Sequence, residues 1–221
     1  MRGQKGPGKR RGRHRQVAPV RQQWMRNILA IACAIAGVAA QAEVISITIG
    51  LDVNSPYGIS EPWVTIREGL LRLDYVESVA TLPDRKGATG ELRTKKGRVP
   101  EVNALRTAIR ELGAGATLRG VEATITGDVV KQDGNLVLEV ATTGETLRLA
   151  PLTTPVQRGV NVTEPERNAF AELTSRSKGD PLKVRITGPL RARAGPDAPQ
   201  TLEVRMFDFP GRNQNQTKNQ N

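Results

Sequence analysis

The clearest alternation of apolar and polar positions lies in residues 59–79, ISEPWVTIREGLLRLDYVESV. Ser60 is a favourable N-cap, and Pro62 falls in the first turn, where its missing amide hydrogen costs nothing. Apolar side chains then recur at spacings of three and four, as on a surface helix with one buried stripe; they are Trp63, Ile66, Leu70 and Leu73. The residues from Val76 onward alternate as in a strand. The pattern predicts a helix that is followed directly by a strand.

The flanking segments predict three more strands and a second helix. Residues 44–53 alternate between β-branched apolar and smaller polar side chains, and a short strand is expected near residues 89–94. Pro100 opens a second helix, whose apolar residues keep the three-and-four spacing until Gly113 supplies a C-terminal cap. Residues 116–130 again have the pattern of a strand. The resulting order, β-α-β-β-α-β, is that of a ferredoxin-like unit.

The second half of the chain consists of short alternating runs separated by turn residues. An Asp-Gly turn at residues 133–134 separates the first two of three strands, which form a meander. Residues 163–166, TEPE, fit a capping box with an internal proline and predict a helix. Two more strands are predicted at residues 182–188 and 201–209. Three strands, a helix and two strands is the order of an OB-like five-stranded barrel, and the strand at 121–130 would serve both halves.

These patterns predict an α+β fold class. A ferredoxin-like βαββαβ domain at residues 43–119 is followed by a small antiparallel OB-like β-barrel at residues 120–210. Two segments of identical sequence, Ile125–Gly127 and Ile186–Gly188, resemble paired segments of small exported OB-like modules. Residues 211–221 have no apolar side chain to bury and are expected to be a disordered tail.

The first 42 residues differ from the rest of the chain in charge, since they contain nine Lys or Arg and no Asp or Glu. They end in an uncharged apolar run at residues 28–40 and in Ala-Gln-Ala at residues 40–42, which has the form of a signal-peptidase site. The run is shorter than the roughly 20 apolar residues that span a bilayer. We therefore predict export to the periplasm or the exterior with cleavage before Glu43, and membrane contact only through the uncleaved leader. The sequence leaves two start positions open, Met1 and Met25.

Removal of this leader changes the charge of the protein. The full chain has 33 basic and 22 acidic residues and a formal charge of +11. Because nine of the basic residues lie in the leader, 24 basic and 22 acidic residues remain. A nucleic-acid partner is therefore not expected, since phosphate recognition requires clustered Lys and Arg.

The leader also contains the only His and the only Cys of the chain, His14 and Cys33. A mature chain without them has no Ser-His-Asp triad, no Cys-His dyad, no disulfide and no thiolate or imidazole metal site. We expect no catalytic residue, no cofactor and no metal. An enzyme would need a pair of carboxylates, as in glycoside hydrolysis, and no spacing in the sequence singles out such a pair.

Two segments resemble the heavy-metal-associated (HMA) domain family of copper chaperones and P-type ATPase termini. Residues 70–79, LLRLDYVESV, are similar to the end of the family's first helix and its next strand, and residues 97–113 are similar to its second helix. The family carries Cu(I) on a Cys-x-x-Cys pair, because two thiolates on one loop suit that ion. Ile59 and Pro62 occupy those positions here, and neither is a ligand. The resemblance implies the ferredoxin-like scaffold and argues against metal carriage.

These observations predict an exported, non-enzymatic binding or interaction protein, whose partner is an unidentified protein or small ligand. The candidate contact region is the loop that leads into the first helix. Its candidate binding residues are Asn54, Ser55, Tyr57 and Trp63, with Tyr57 as the aromatic contact. The alternative is that Tyr57 and Trp63 only pack the loop and the helix, and the place of Trp63 on the apolar stripe favours it.

Two other functions stay open at this point. One is metal-ion binding of the HMA type at an atypical site, with oxygen ligands from Ser55, Ser60 or Glu61. The other is binding of an oligosaccharide or a single-stranded nucleic acid on the barrel face, as OB folds often do. The aromatic residues in the barrel half are three phenylalanines, which the strand alternation places mostly in the core: Phe170, Phe207 and Phe209.

Overall fold

The structure is a computed structural model that describes residues 44–54, 60–82, 88–153, 161–179 and 181–210. The strands in these ranges are β1 Val44–Val53, β2 Val76–Thr81, β3 Ala88–Thr94, β4 Ala116–Gln132, β5 Asn135–Val140, β6 Glu145–Pro151, β7 Leu182–Arg191, β8 Thr201–Val204 and β9 Met206–Asp208. The α-helices are α1 Ser60–Leu70, α2 Val102–Glu111 and α3 Glu164–Arg176, and a short 3-10 turn covers Lys95–Gly97. Of the helices described, none has the length and apolar character needed to cross a membrane.

The strands form one continuous sheet with the order β2-β3-β1-β4-β5-β6-β8-β7-β9. An additional pairing between β4 and β7 closes the strands β4, β5, β6, β8 and β7 into a five-stranded barrel. The pairs are antiparallel except for β6 and β8, which run parallel. The parallel pair requires a long connection between the two strands, and α3 and β7 lie within it.

The 17-residue strand β4 joins the two ends of this sheet. One of its edges pairs with β1 from Ala116 to Ile125 and then with β5 from Asp128 to Gln132. Its other edge pairs with β7 from Val121 to Val129. The domain boundary predicted between residues 119 and 120 therefore falls inside β4.

The predicted fold class is wrong. The described chain is mostly β, with a closed five-stranded barrel and three helices, and it has no clear ferredoxin-like βαββαβ arrangement. A separate domain at residues 43–119 would leave the outer edge of its last strand free, whereas β4 continues into the barrel and pairs with β7 on that edge. The barrel is also not wholly antiparallel, because β6 and β8 are parallel. The alternation of residues 116–130 indicates a strand, but it contains no information on the number of neighbouring strands.

The helices lie where local signals place them. α1 begins at Ser60 and buries Trp63, Ile66 and Leu70, whereas Leu73 beyond its end is only half-buried. α2 buries Val102, Leu105 and Ile109. At the start of α3 the Glu166 carboxylate accepts hydrogen bonds from the N–H and the hydroxyl of Thr163, at 2.7 and 2.9 Å. This bonding stabilises the first turn, where backbone donors have no partner within the helix.

A candidate ligand-binding groove

The structure describes two of the four predicted contact residues, Asn54 and Trp63. Asn54 is exposed, and its backbone N–H donates to the Gly115 carbonyl oxygen at 2.8 Å. The Trp63 side chain is 5% exposed and packs on β3, where a Cβ added to Gly90 would lie 2.5 Å from its ring. Trp63 is therefore part of the core. Ser55 and Tyr57 lie outside the described residues.

A groove of about 380 Å³ is lined by residues of the barrel and of the segment before α2. We call it the barrel groove. Its walls come from the end of β4, from β5 and β6, from the β7–β8 loop at residues 192–200 and from the segment before α2. It is lined by Val99, Gln132, Val137, Glu145, Thr146, Leu147, Arg193, Asp197, Pro199 and Gln200. No local pattern in the sequence marks these residues, because they are brought together from distant parts of the chain.

Gln200 fixes the end of the β7–β8 loop against α2. Gln200 is buried, with 4% of its surface exposed. The amide oxygen accepts from the Val102 N–H, and the amide nitrogen donates to the Pro100 carbonyl oxygen, both at 3.0 Å. The Gln200 carbonyl oxygen also accepts from the Arg148 N–H at 2.9 Å. The side-chain oxygen and nitrogen of Gln200 are therefore both hydrogen-bonded within the protein. Gln200 supports the wall of the groove, and few of its hydrogen-bonding positions remain for a ligand.

Glu145, the first residue of β6, also connects the barrel to the segment before α2. Its carboxylate accepts from the Val99 N–H at 3.0 Å and from the Thr143 hydroxyl at 2.9 Å. The N–H of Val99 precedes α2, in a region where backbone donors and the helix dipole favour negative charge. A carboxylate of the protein already occupies this place. An anionic ligand would therefore meet an acidic group here.

Arg193 and Asp197 are the exposed charged side chains of the loop wall. The Arg193 guanidinium donates to the Ala198 carbonyl oxygen at 3.2 Å and lies 3.6 Å from the carboxylate of Glu101. These contacts restrain the guanidinium at the groove wall, and Arg193 remains exposed. The groove is thus lined by hydrogen-bond donors and acceptors together with apolar residues such as the exposed Pro199.

A buried acid outside the groove holds the last barrel strand in place. Glu203 on β8 accepts hydrogen bonds from Arg191 at 2.9 and 3.1 Å. It also accepts from the N–H and the hydroxyl of Thr153, at 3.1 and 2.7 Å. Burial opposes ionisation of this carboxyl group, but the hydrogen bonds from Arg191 and Thr153 outweigh it and hold the pKa of Glu203 below its ordinary value.

The aromatic side chains of the barrel half lie away from the groove. Phe207 and Phe209 pack edge to face with ring centres 5.7 Å apart. The Arg176 guanidinium lies over both rings, at 5.8 and 5.5 Å. Phe170 is half-buried against the core. In the described chain, the groove has no aromatic side chain on which a nucleic-acid base or a sugar ring could stack.

A metal centre is not evident in the described ranges, where no three His, Cys, Asp or Glu side chains converge. The oxygen ligands predicted for an atypical HMA-type site are Ser55, Ser60 and Glu61. The side chains of all three lie outside the described part of the structure.

Comparisons of this chain with protein-family models, with curated proteins and with solved structures gave no match. Its function is therefore argued from the groove and from the physical chemistry of its walls.

Proposed function

We propose that this chain is an exported, non-enzymatic binding protein and that its ligand site is the barrel groove. The observation that carries the proposal is the groove itself, about 380 Å³ in volume and lined by both charged and apolar side chains. Pockets for small ligands fall in the range of roughly 300–1,000 Å³ and combine an apolar floor with a few polar groups. The groove also lies on the second and third barrel strands and the loop between the last two. OB-like barrels bind oligonucleotides and oligosaccharides on these elements.

The ligand class that best fits the walls is a neutral oligosaccharide. Sugar hydroxyl groups both donate and accept hydrogen bonds, and the loop wall offers an exposed guanidinium at Arg193 and an exposed carboxylate at Asp197. Charge-assisted hydrogen bonds of this kind are the stronger ones. The exposed Pro199, which also lines the groove, would contact the less polar face of a sugar ring.

Single-stranded nucleic acid fits the same groove less well. Binding of single strands relies on stacked aromatic side chains and on a basic channel along the backbone. The groove is lined by two acidic residues, Glu145 and Asp197, and by one basic residue, Arg193. Phosphate groups would be repelled by the acidic pair, and the bases would find no aromatic surface there.

The test is a titration of the purified protein with short neutral oligosaccharides, monitored by saturation-transfer NMR and calorimetry. A poly-dT oligonucleotide serves as the competing ligand class. The double variant Arg193→Ala/Asp197→Ala is expected to weaken binding of the best sugar about tenfold or more, because hydrogen bonds to charged groups contribute about 1.5–3 kcal/mol each.

A matched control is available at an Arg–Asp ion pair outside the groove. Arg185 on β7 and Asp208 on β9 lie 3.7 Å apart and do not line the groove. The variant Arg185→Ala/Asp208→Ala should bind the sugar as the wild type does. Equal losses in the two double variants would exclude the groove as the site, and tighter binding of the oligonucleotide than of any sugar would exclude the proposed ligand class.

A further inference from the structure

The charged side chains that line the barrel groove are not equivalent. Glu145 and Asp197 supply carboxylates, and Arg193 supplies a guanidinium. Neither carboxylate forms an ion pair with another residue in the part of the chain that the structure describes. The two acids therefore have no cation of their own among these residues.

The guanidinium of Arg193 is already matched by a carboxylate outside the groove. Its Nε lies 3.6 Å from Oε2 of Glu101, which does not line the groove. Glu101 is itself held in place, because its Oε1 accepts from the Asn103 N–H at the start of α2, at 3.1 Å. Since the charges of this pair largely cancel, the groove retains the negative charge of Glu145 and Asp197.

Glu145 is the acid whose position is fixed. It is half-buried, and its carboxylate accepts from the Val99 N–H at 3.0 Å and from the Thr143 hydroxyl at 2.9 Å. Both donors are neutral, so they hold the carboxylate without cancelling its charge. Solvent and salt screen a half-buried charge less than a charge at the surface. Glu145 therefore places a negative charge at a defined point of the groove wall.

Asp197 differs from Glu145 in these respects. It is exposed in the β7–β8 loop, and its carboxylate has no hydrogen-bond or ion-pair partner among the described residues. A side chain of this kind can turn toward water when a negatively charged ligand approaches, and solvent screens its charge. Discrimination against negative ligands should therefore come mainly from Glu145.

We propose that Glu145 sets the charge selectivity of the barrel groove, which takes neutral hexose oligosaccharides and excludes their uronic-acid counterparts. In a uronate a carboxylate replaces the primary alcohol of the hexose, so the two sugars have nearly the same shape and differ in charge. The carboxylate of a bound uronate would face that of Glu145, and like charges at close range oppose binding. This inference rests on the proposed function and names the residue that narrows its ligand class.

The test compares one sugar in two charge states. The neutral probe is the trimer of glucose, galactose or mannose that binds the full-length chain most tightly. The acidic probe is the same trimer with its primary alcohols oxidised to carboxylates. Calorimetry should show that the wild type binds the neutral probe about tenfold or more tightly than the acidic one. Raising the ionic strength from about 20 mM to about 300 mM should narrow this ratio, because salt screens the repulsion.

Variants of the two acids identify the residue responsible. Glu145→Gln removes the charge and keeps an oxygen that can accept from the Val99 N–H. It should tighten binding of the acidic probe about tenfold, which a variant that fails to fold cannot do. Glu145→Asp keeps the charge and should leave the acidic probe excluded, and Asp197→Asn should have a smaller effect than Glu145→Gln. Glu68→Gln is the matched control and should change neither constant, because Glu68 is exposed on α1 and does not line the groove.

Failure of this inference can be told apart from failure of the proposed function. If none of the neutral trimers binds, the proposed function is wrong and the inference falls with it. If a neutral trimer binds but Glu145→Gln leaves the affinity for the acidic probe unchanged, only the role of Glu145 is wrong. The same holds if Glu145→Asp admits the acidic probe as Glu145→Gln does, or if Asp197→Asn has the larger effect.

Discussion

Two charged residues near the C-terminal end of the sheet, Glu203 and Arg205, are buried although their place in the alternating pattern predicts that they are exposed. In residues 201–205, TLEVR, Glu203 and Arg205 alternate with Leu202 and Val204, a pattern that normally directs polar side chains to solvent. Both are nevertheless buried. Glu203 is bound by Arg191 and Thr153, and the Arg205 guanidinium contacts both oxygens of Glu122 at 2.7 and 2.9 Å. Strand closure into the barrel brings these partners over them.

The ion pair of Glu203 predicts a stability that depends on pH. Because the pKa of Glu203 is lower in the folded state, its contribution is complete above the unfolded value of about 4.3 and is lost as the pH falls through the folded value. Glu203→Gln should lower the unfolding free energy at pH 7 by about 1–3 kcal/mol. We expect the lower part of this range, because Arg191 is partly exposed and solvent weakens its attraction to the carboxylate. Urea unfolding at pH 7 and pH 3 measures this.

The difference between wild type and Glu203→Gln should be smaller at pH 3 than at pH 7, because the stability that comes from the lowered pKa of Glu203 is lost progressively as the pH falls below the unfolded value of about 4.3. Glu111→Gln is the control, since Glu111 is exposed at the end of α2. It should have almost no effect at either pH. A Glu203→Gln penalty that is equal at the two pH values would show that the side-chain shape, and not its charge, is what matters.

At the scale of the elements, the glycine of each ITG segment lies where a neighbouring barrel strand leaves no room for a side chain. Gly127 lies on β4, and a Cβ there would be 2.5 Å from the Glu139 carbonyl oxygen on β5. Gly188 lies on β7, and a Cβ there would be 1.8 Å from the Glu203 carbonyl oxygen on β8. Glycine inside a strand often marks such a close approach of another backbone. The repeated segment is therefore explained by strand packing in the barrel.

Gly188→Ala should destabilise the protein strongly. The added methyl group would overlap the β8 backbone, so β7 and β8 must separate, and we expect a loss of about 3 kcal/mol or more. Gly195→Ala is the matched control, because a Cβ at Gly195 meets nothing within 4 Å. It should change the free energy of unfolding by less than about 0.5 kcal/mol. Thermal unfolding by circular dichroism compares the two, and equal melting temperatures would contradict the packing argument.

At the scale of the whole molecule, β4 and the segment before α2 connect the barrel to the rest of the sheet. β4 pairs with β1 and with the barrel strands β5 and β7. Glu145 and Gln200, which belong to the barrel, bind the N–H groups of Val99 and Val102. The barrel groove consequently has walls from both parts, and loss of either part would destroy it.

These connections predict one cooperative unfolding transition for residues 44–210. In a Trp24→Phe background, the remaining tryptophan, Trp63, reports on α1 and β3, whereas far-UV circular dichroism reports on all strands and helices. The two signals should have the same denaturant midpoint, as in two-state unfolding. A chain ended at residue 119 should not fold, because it lacks most of β4. A second dichroism transition that Trp63 fluorescence does not follow would show that the parts unfold separately.

Local signals were sufficient for the helices and for most strands. The cap and proline at the start of α1, the capping box of α3 and the spacing of Leu105 and Ile109 in α2 each involve residues close in sequence. The candidate site was not predictable in this way. Its residues come from three strands, one loop and the segment before α2. Trp63, one of the contact residues proposed from sequence, is buried because it belongs to the apolar stripe of its own helix.

The sequence by itself determined the approximate positions of the helices and of most strands, and it placed the only His and Cys in the first 42 residues. The tertiary structure alone decided that β4 has neighbours on both edges, that β6 and β8 run parallel, and that Glu203 and Arg205 are buried. The physical reason is the range of the interactions. Periodicity reports which side of an element is apolar, whereas strand pairing and ion pairs join residues far apart in the chain, and only the folded structure specifies those partners.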